Sequence, residues 1–265
     1  MPSHLTMNLS ALVALLPACL VAQRATARDW LFWSTLALAV IVPALTVLGL
    51  MAGAWRTGLG AALWLTIAAC LVLFAVLALA SRTAARLAPL LLPYLVLLGA
   101  LATAFGEPAE PSFAPAAPAA WVVLHIALSI TTYALLTLAA VAGFGVLLQE
   151  RALKRRHPTA LSRLLPSMSD GDRLQWRLLV GSVVVLALGV ATGMATEHFD
   201  RGVLLRLDHK TLLSLLTLVL VIGLLVAHHR SGLRGRRAAR LVLLAYILLS
   251  LAYLGVKFVT DILIG

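Results

Sequence analysis

Acidic side chains are scarce: the 265-residue chain carries 10 Asp and Glu against 21 Lys and Arg, a formal net charge of +11. With so few carboxylates, no helix presents the paired acids that general acid–base chemistry needs. Cysteine is scarcer still. Cys19 and Cys70 each sit inside an apolar run and no C-x-x-C occurs, which removes thiol–disulfide exchange and covalent haem attachment to this chain. Both read as small core hydrophobes. A phosphate-cradling glycine loop and a nucleophile elbow are also missing, so hydrolase and nucleotide chemistry lack their machinery. The chain is expected not to be an enzyme.

What is present is apolar surface. Hydrophobic residues make up 62% of the chain and charged residues 12%, with a mean hydropathy of +1.02. A soluble domain of this length cannot hide that much apolar surface. The positive charge does not point to nucleic acid, because the basic residues lie in short loops between apolar runs rather than over one soluble face. The expected class is therefore an all-α, polytopic transmembrane helix bundle in the lipid bilayer.

Eight spans are predicted, at about 5–22, 31–51, 59–80, 89–106, 119–149, 174–196, 209–229 and 241–263. They form a single transmembrane domain, residues 1–106 giving four helices and residues 119–265 a second four-helix core. Met1 to Ser10 lacks Lys and Arg, while Arg24 and Arg28 follow the first run. That order suits a spanning helix with its N-terminus outside rather than a cleaved signal peptide, despite the lipoprotein-like Leu16-Pro17-Ala18-Cys19. With the N-terminus outside, sixteen Lys and Arg fall in inner loops and five outside: Arg56, Arg201, Arg206, Lys210 and Lys257. This positive-inside bias puts both termini outside. Trp30, Trp33 and Trp176 then sit at the inner interface and Trp55 and Trp121 at the outer one. The four-proline segment Glu107 to Pro118 reads as an outer linker able to lie across the mouth of the bundle. The basic runs 151–173 and Arg230 to Arg240 read mainly as topology determinants touching anionic headgroups; Gly232 and Gly235 break the helix in the second.

The chain is organised around Ala119 to Glu150. This apolar run carries His125 near its first end, with Ser129, Thr132 and Tyr133 on roughly the same face one and two turns later. An ionisable ring this close to hydrocarbon is costly unless it faces protein, water or a ligand. His198, after the sixth span, and His209, opening the seventh, are expected at the same outer level. Each imidazole has a plain reading as an interfacial polar residue. Taken together, His125, His198 and His209 are candidates for a shared ligand, including a divalent metal. His4 and His157 read as solvated. His228 and His229 suit the positive end preferred at a helix C-terminus. Asp208 is placed to cap the seventh span. Tyr246, Ser250, Tyr253 and Lys257 follow i, i+4, i+7, i+11 spacing on the eighth. Lys257 can snorkel outward, pair with Asp208, or meet a ligand anion.

Several segments in order resemble one family. WVVLHIALSITTYALLTLAAVAGFGVLLQERALKRR is similar to the signature helix of the cytochrome c assembly membrane proteins, the CcsA, CcmC and HemX-like group. LLPSMSDGDRLQWRLLVGSVVVLALGVATG, DHKTLLSLL, HHRSGLRGRR and LAYLGVKFV resemble its small eight-helix YpjD-like branch. The resemblance covers about residues 119–262. It implies a multi-pass protein of the bacterial inner (cytoplasmic) membrane that binds or relays haem at its outer face, alongside other cytochrome-assembly or transporter membrane proteins. By position His125 matches the signature histidine, and Asp208 and Lys210 match a D-x-K motif. His209 takes the place between them that is proline in the haem-handling branches, and His228 lies near a later histidine. The expected haem ligands are His125 and His209, with His198 as the alternative second ligand; the propionates point toward Lys210 and Lys257, and Asp208 completes the cofactor site as a candidate partner of Lys257. The tryptophan-rich loop of the haem-handling branches is missing, since residues 197–208 contain no Trp, so synthetase activity is not expected. A membrane accessory subunit regulating an ion transporter, without haem, is the alternative role.

Overall fold

The computed structural model describes residues 4–24, 29–51, 58–105, 118–203 and 208–259. These fold into helices α1 (His4–Ala22), α2 (Trp30–Met51), α3 (Leu59–Ala80), α4 (Arg82–Ala85), α5 (Ala88–Ala104), α6 (Ala119–Arg155), α7 (Ala160–Leu164), α8 (Met168–Arg201), α9 (His209–Ser231) and α10 (Gly235–Ser250). A π-helical stretch, Leu251–Gly255, and the short α11 (Val256–Phe258) continue α10. Among the described residues there is no strand. Seven helices are long and apolar enough to cross a membrane, and α5, with 17 residues, is a shorter apolar eighth. The protein is an all-α, polytopic membrane protein. Helices suit that setting because each satisfies its own backbone hydrogen bonds where no water is present.

Helix ends follow local chemistry. Asp208 Oδ1 accepts from the Thr211 amide at 2.8 Å and so caps α9. Ser167 Oγ accepts from the Asp170 amide and caps α8, and Thr159 does the same for α7. α8 stops at Gly202 (φ 71°) and α9 at Gly232 (φ 64°), left-handed positions where a side chain would be strained.

Several expected boundaries are corrected, among them the start of α8, at Met168 rather than near residue 174. α6 runs on to Arg155 rather than ending near residue 149; its 37 residues reach about 55 Å, well beyond the hydrocarbon. The extra turns are held by a Glu150–Lys154 pair at 2.6 Å, at the i, i+4 spacing of helix neighbours. α8 runs past residue 196 to Arg201, because no glycine or proline intervenes before Gly202. His198 is therefore inside a helix, not on a loop that folds over the bundle. α10 begins at Gly235, ahead of the expected 241, and its regular stripe is broken by the π-helical turn. The Pro-rich segment 107–117, Trp55 and Arg206 lie outside the described residues.

The helices pack as two sets of four. α1 packs on α2 and α5, and α3 packs on both α2 and α5. α6 pairs most extensively with α8 and also with α10, while α9 packs on α8 and α10. α3 against α6 is the main seam between the sets. One continuous core runs through both, from Leu15, Trp64, Phe74 and Leu95 to Tyr133, Leu138, Leu179 and Val242. Since consecutive long helices alternate in direction, α3, α6 and α9 all begin at one end, called here the His125 end. The other is the basic end. There Gln149 on α6 donates to the carbonyls of Ser162 (2.8 Å) and Pro166 (2.9 Å), pinning the α6–α8 connection.

Candidate functional site

His125 sits in the second turn of α6, half-buried against α8. Its Nδ1 lies 3.0 Å from the Gly189 carbonyl and 3.3 Å from Thr192 Oγ1. The approach is close because α8 turns small residues toward α6. A Cβ added at Gly193 would lie 2.9 Å from His125 Cε1; one at Gly189 would lie 3.8 Å from Leu128 Cβ, and one at Gly181 3.8 Å from Leu135. Gly189-Val190-Ala191-Thr192-Gly193 is the small-x-x-x-small spacing that lets membrane helices touch backbone to backbone. This motif and Thr192 were legible in the sequence by spacing alone, yet they mark a histidine partner only once α6 and α8 are paired.

The other predicted residues are arranged as follows. Asp208 is exposed and spends one carboxylate oxygen on the α9 cap. His209 is exposed in the first turn of α9, and His198 is exposed near the end of α8 with its ring beside Phe199. The side chains of Lys210 and Lys257 lie outside the described residues, as therefore does the expected Lys257 contact. α6 and α9 do not pack side by side; each lies between α8 and α10. His125 and His209 thus start on diagonally opposed helices of the four. Among the described residues no group of three His, Cys, Asp or Glu could hold a metal ion.

Deeper in the bundle, hydroxyls replace imidazole. Tyr133 on α6 bonds Tyr246 at 3.0 Å and Ser250 at 3.1 Å, both on α10. Tyr246 also bonds Tyr94 of α5, so the chain of hydroxyls crosses from one helix set to the other. The Tyr253 ring packs 5.8 Å from that of Tyr133 within the π-helical turn. Such turns recur at functional sites because they re-aim the residues that follow. Tyr94 was not singled out in the sequence, since nothing on α5 announces a partner more than 150 positions later.

At the basic end His228 does more than favour the helix terminus. Its Nδ1 donates to the Leu233 carbonyl at 2.8 Å, and its ring stacks on Trp176 at 3.8 Å. Next to Trp176, Gln175 is wholly buried and neither of its amide atoms has a hydrogen-bond partner in the structure. A Cβ on Gly143 of α6 would lie 2.6 Å from Gln175 Oε1. Gly143 is therefore the notch that receives this amide.

The family described as Cytochrome C assembly protein matches residues 37–264, from α2 through the α10 continuation. The chain belongs to the cytochrome c assembly protein family. An Azospirillum brasilense relative, described as an uncharacterized 28.8 kDa protein in the nifR3-like 5' region, is 51% identical over 271 residues and is matched along the whole of both chains. The inner membrane protein YpjD of Escherichia coli (strain K12) is 28% identical over 141 residues, 53% of this chain and 52% of its own. Protein HemX of Brevibacillus brevis is 29% identical over 131 residues, 49% of this chain and 48% of its own. No solved structure matches the chain. In this cytochrome c assembly protein, then, the matched region includes His125, the Gly189 and Thr192 that neighbour its Nδ1, and all four hydroxyl residues, Tyr94, Tyr133, Tyr246 and Ser250.

Proposed function

We propose that this cytochrome c assembly protein holds or relays haem at its His125 end, as a binder rather than a catalyst. The carrying observation is the orientation of His125: its Nδ1 faces the Gly189 carbonyl, an acceptor only. A neutral imidazole so held keeps its proton on Nδ1 and its lone pair on Nε2, the form in which histidine ligates iron. His209 is the second ligand in this reading, with His198 as its alternative; Lys210 and Lys257 serve the propionates, and Asp208 balances the charge of Lys257. The apolar surface a porphyrin needs is supplied by Val123, Leu124, Leu212 and Leu216, all exposed on the first turns of α6 and α9. Haem held there is cargo, retained or passed to other membrane proteins of cytochrome assembly.

Membership of the family and the name of the YpjD relative support a multi-pass protein of the inner membrane. The basic residues at the opposite end favour placing the His125 end outside. An extracytoplasmic reporter fused after Gly265 is expected to be active; activity of a cytoplasm-only reporter there reverses the orientation. For haem itself, the protein is purified from haem-replete cells and its absorption spectrum recorded before and after dithionite. A bis-histidine spectrum lost in His125→Ala is expected. A colourless wild type that also fails to take up hemin defeats the reading and leaves the transporter-accessory role.

A further inference from the structure

α10 is the most amphipathic of the long helices, and its charged residues stand only at its start. Arg236, Arg240, Leu244, Ile247 and Leu251 are all exposed. At 100° per residue they share an arc of about 80°, opposite the buried Ala238, Val242, Ala245 and Leu249. The stripe is cationic over its first turn and apolar beyond. From Arg240 to Leu251 it rises about 16 Å, half of the roughly 30 Å of hydrocarbon in a bilayer. That is the depth of one leaflet.

The cationic end of the stripe is held in place from both neighbouring helices. The Gly235 amide donates to Asp172 Oδ1 of α8 at 3.2 Å. Across the α6–α10 contact, Arg236 and Arg240 lie within electrostatic reach of Glu150. That carboxylate is already bonded by Lys154 of its own helix at 2.6 Å, so the corner holds three cations against one acid. Cations are also disfavoured where a helix begins, because its free amides make that end positive. An excess of positive charge beside hydrocarbon is costly unless an anion meets it.

We propose that the α10 stripe and the α6 corner form a binding site for one anionic phospholipid of the leaflet at the basic end. Arg236 and Arg240, with Lys154 beside them, take the phosphodiester, and an acyl chain lies along Leu244, Ile247 and Leu251. Arginine suits phosphate oxygens because its planar fork donates two parallel hydrogen bonds. The apolar stripe favours a lipid over free phosphate, which would meet the cations alone. The site is more than a general attraction of basic loops for headgroups. Arg151 and Arg155 are equally exposed, yet they lie about 100–140° round α6 from Glu150 and take no part. Haem at the other end is not required.

The full-length protein in detergent is titrated with phosphatidylglycerol or phosphatidylcholine, and bound lipid is counted by native mass spectrometry. The wild type is expected to prefer phosphatidylglycerol. Arg236→Gln and Arg240→Gln are each expected to weaken phosphatidylglycerol binding about fivefold, as loss of one basic residue beside an anionic lipid does, and to leave phosphatidylcholine unchanged. Arg151→Gln combined with Arg155→Gln removes as much charge as the α10 double variant and is expected to leave the preference intact. In the wild type, a phosphatidylglycerol with a diazirine in its acyl chain is expected to label Leu244 to Leu251 more than its phosphatidylcholine analogue does. That measurement decides the matter if a glutamine variant does not fold. Equal losses in the two double variants would show net charge alone and overturn the site, as would equal labelling by the two probes. Displacement of the lipid by inorganic phosphate at constant ionic strength would make the corner a free-anion site and overturn it too.

Discussion

α3 and α6 begin at the same end and pack against each other, but they begin very differently. On α3, Leu59 through Trp64 are all buried from the first residue. On α6 the first buried residue is Thr132, more than three turns in. α9 repeats the α6 pattern, with no buried residue before Thr217 among those whose side chains are described. The N-terminal helix set is thus closed around Trp64 at the His125 end, while the C-terminal set is closed only below Thr132, Thr192 and Thr217. Close packing gives stability and leaves nothing to offer a guest; loosely packed first turns give up contacts but keep surface and polar groups available. The contrast gives the first four helices the closed packing at this end and the last four the open turns.

The largest test of that division compares one residue from each region. Trp64→Ala is expected to cost about 3–5 kcal/mol of stability, the range for emptying an aromatic site in a core. Leu124→Ala, in the open turns, is expected to cost under about 0.5 kcal/mol, as surface changes do. Thermal unfolding in detergent measures both, and similar losses would erase the distinction. A middle-sized effect probes the closed floor of the C-terminal set. Gly143→Ala pushes a methyl into Gln175 Oε1 and is expected to cost about 1–3 kcal/mol by overpacking. Because Gln175 has no hydrogen bond to lose in the structure, Gln175→Ala is expected to recover much of that loss in the double variant. Strictly additive losses would contradict the notch. The smallest effect concerns the seam between the sets. Tyr94→Phe removes one terminal hydroxyl and is expected to cost about 0.5–1.5 kcal/mol. Tyr246→Phe deprives both Tyr94 and Tyr133 of a partner, so it should cost more. Equal losses would mean that the hydroxyls do not act as a chain.

Hydropathy alone placed all eight spans, because twenty apolar residues in a row have few other uses. Local chemistry made the Asp208 cap readable, since a capping carboxylate and its amide are three residues apart. His125 stood out for the same kind of reason, a polar ring in an apolar run. What the sequence could not disclose was partnership. That His125 meets Gly189 and Thr192, or that Tyr246 reaches back to Tyr94, depends on which helices adjoin and how they are rotated, and a period of 3.6 within one helix carries neither fact. Helix ends misled wherever the apolar pattern stopped before the hydrogen-bond ladder did. Glu150 to Arg155 and Glu197 to Arg201 are polar enough to look like loops, yet they contain no residue that ends a helix.

The hydroxyl chain carries an arithmetic consequence. Tyr94, Tyr246, Tyr133 and Ser250 bring four protons to three links. Whichever way the links point, one O–H is left over, at Tyr94 in one sense and at Ser250 in the other. The chain is a small electric dipole with two polarities, and turning it over requires only that four light atoms rotate while every helix stays where it is. Its sign is therefore set by whatever field acts along the chain from Tyr94 to Ser250.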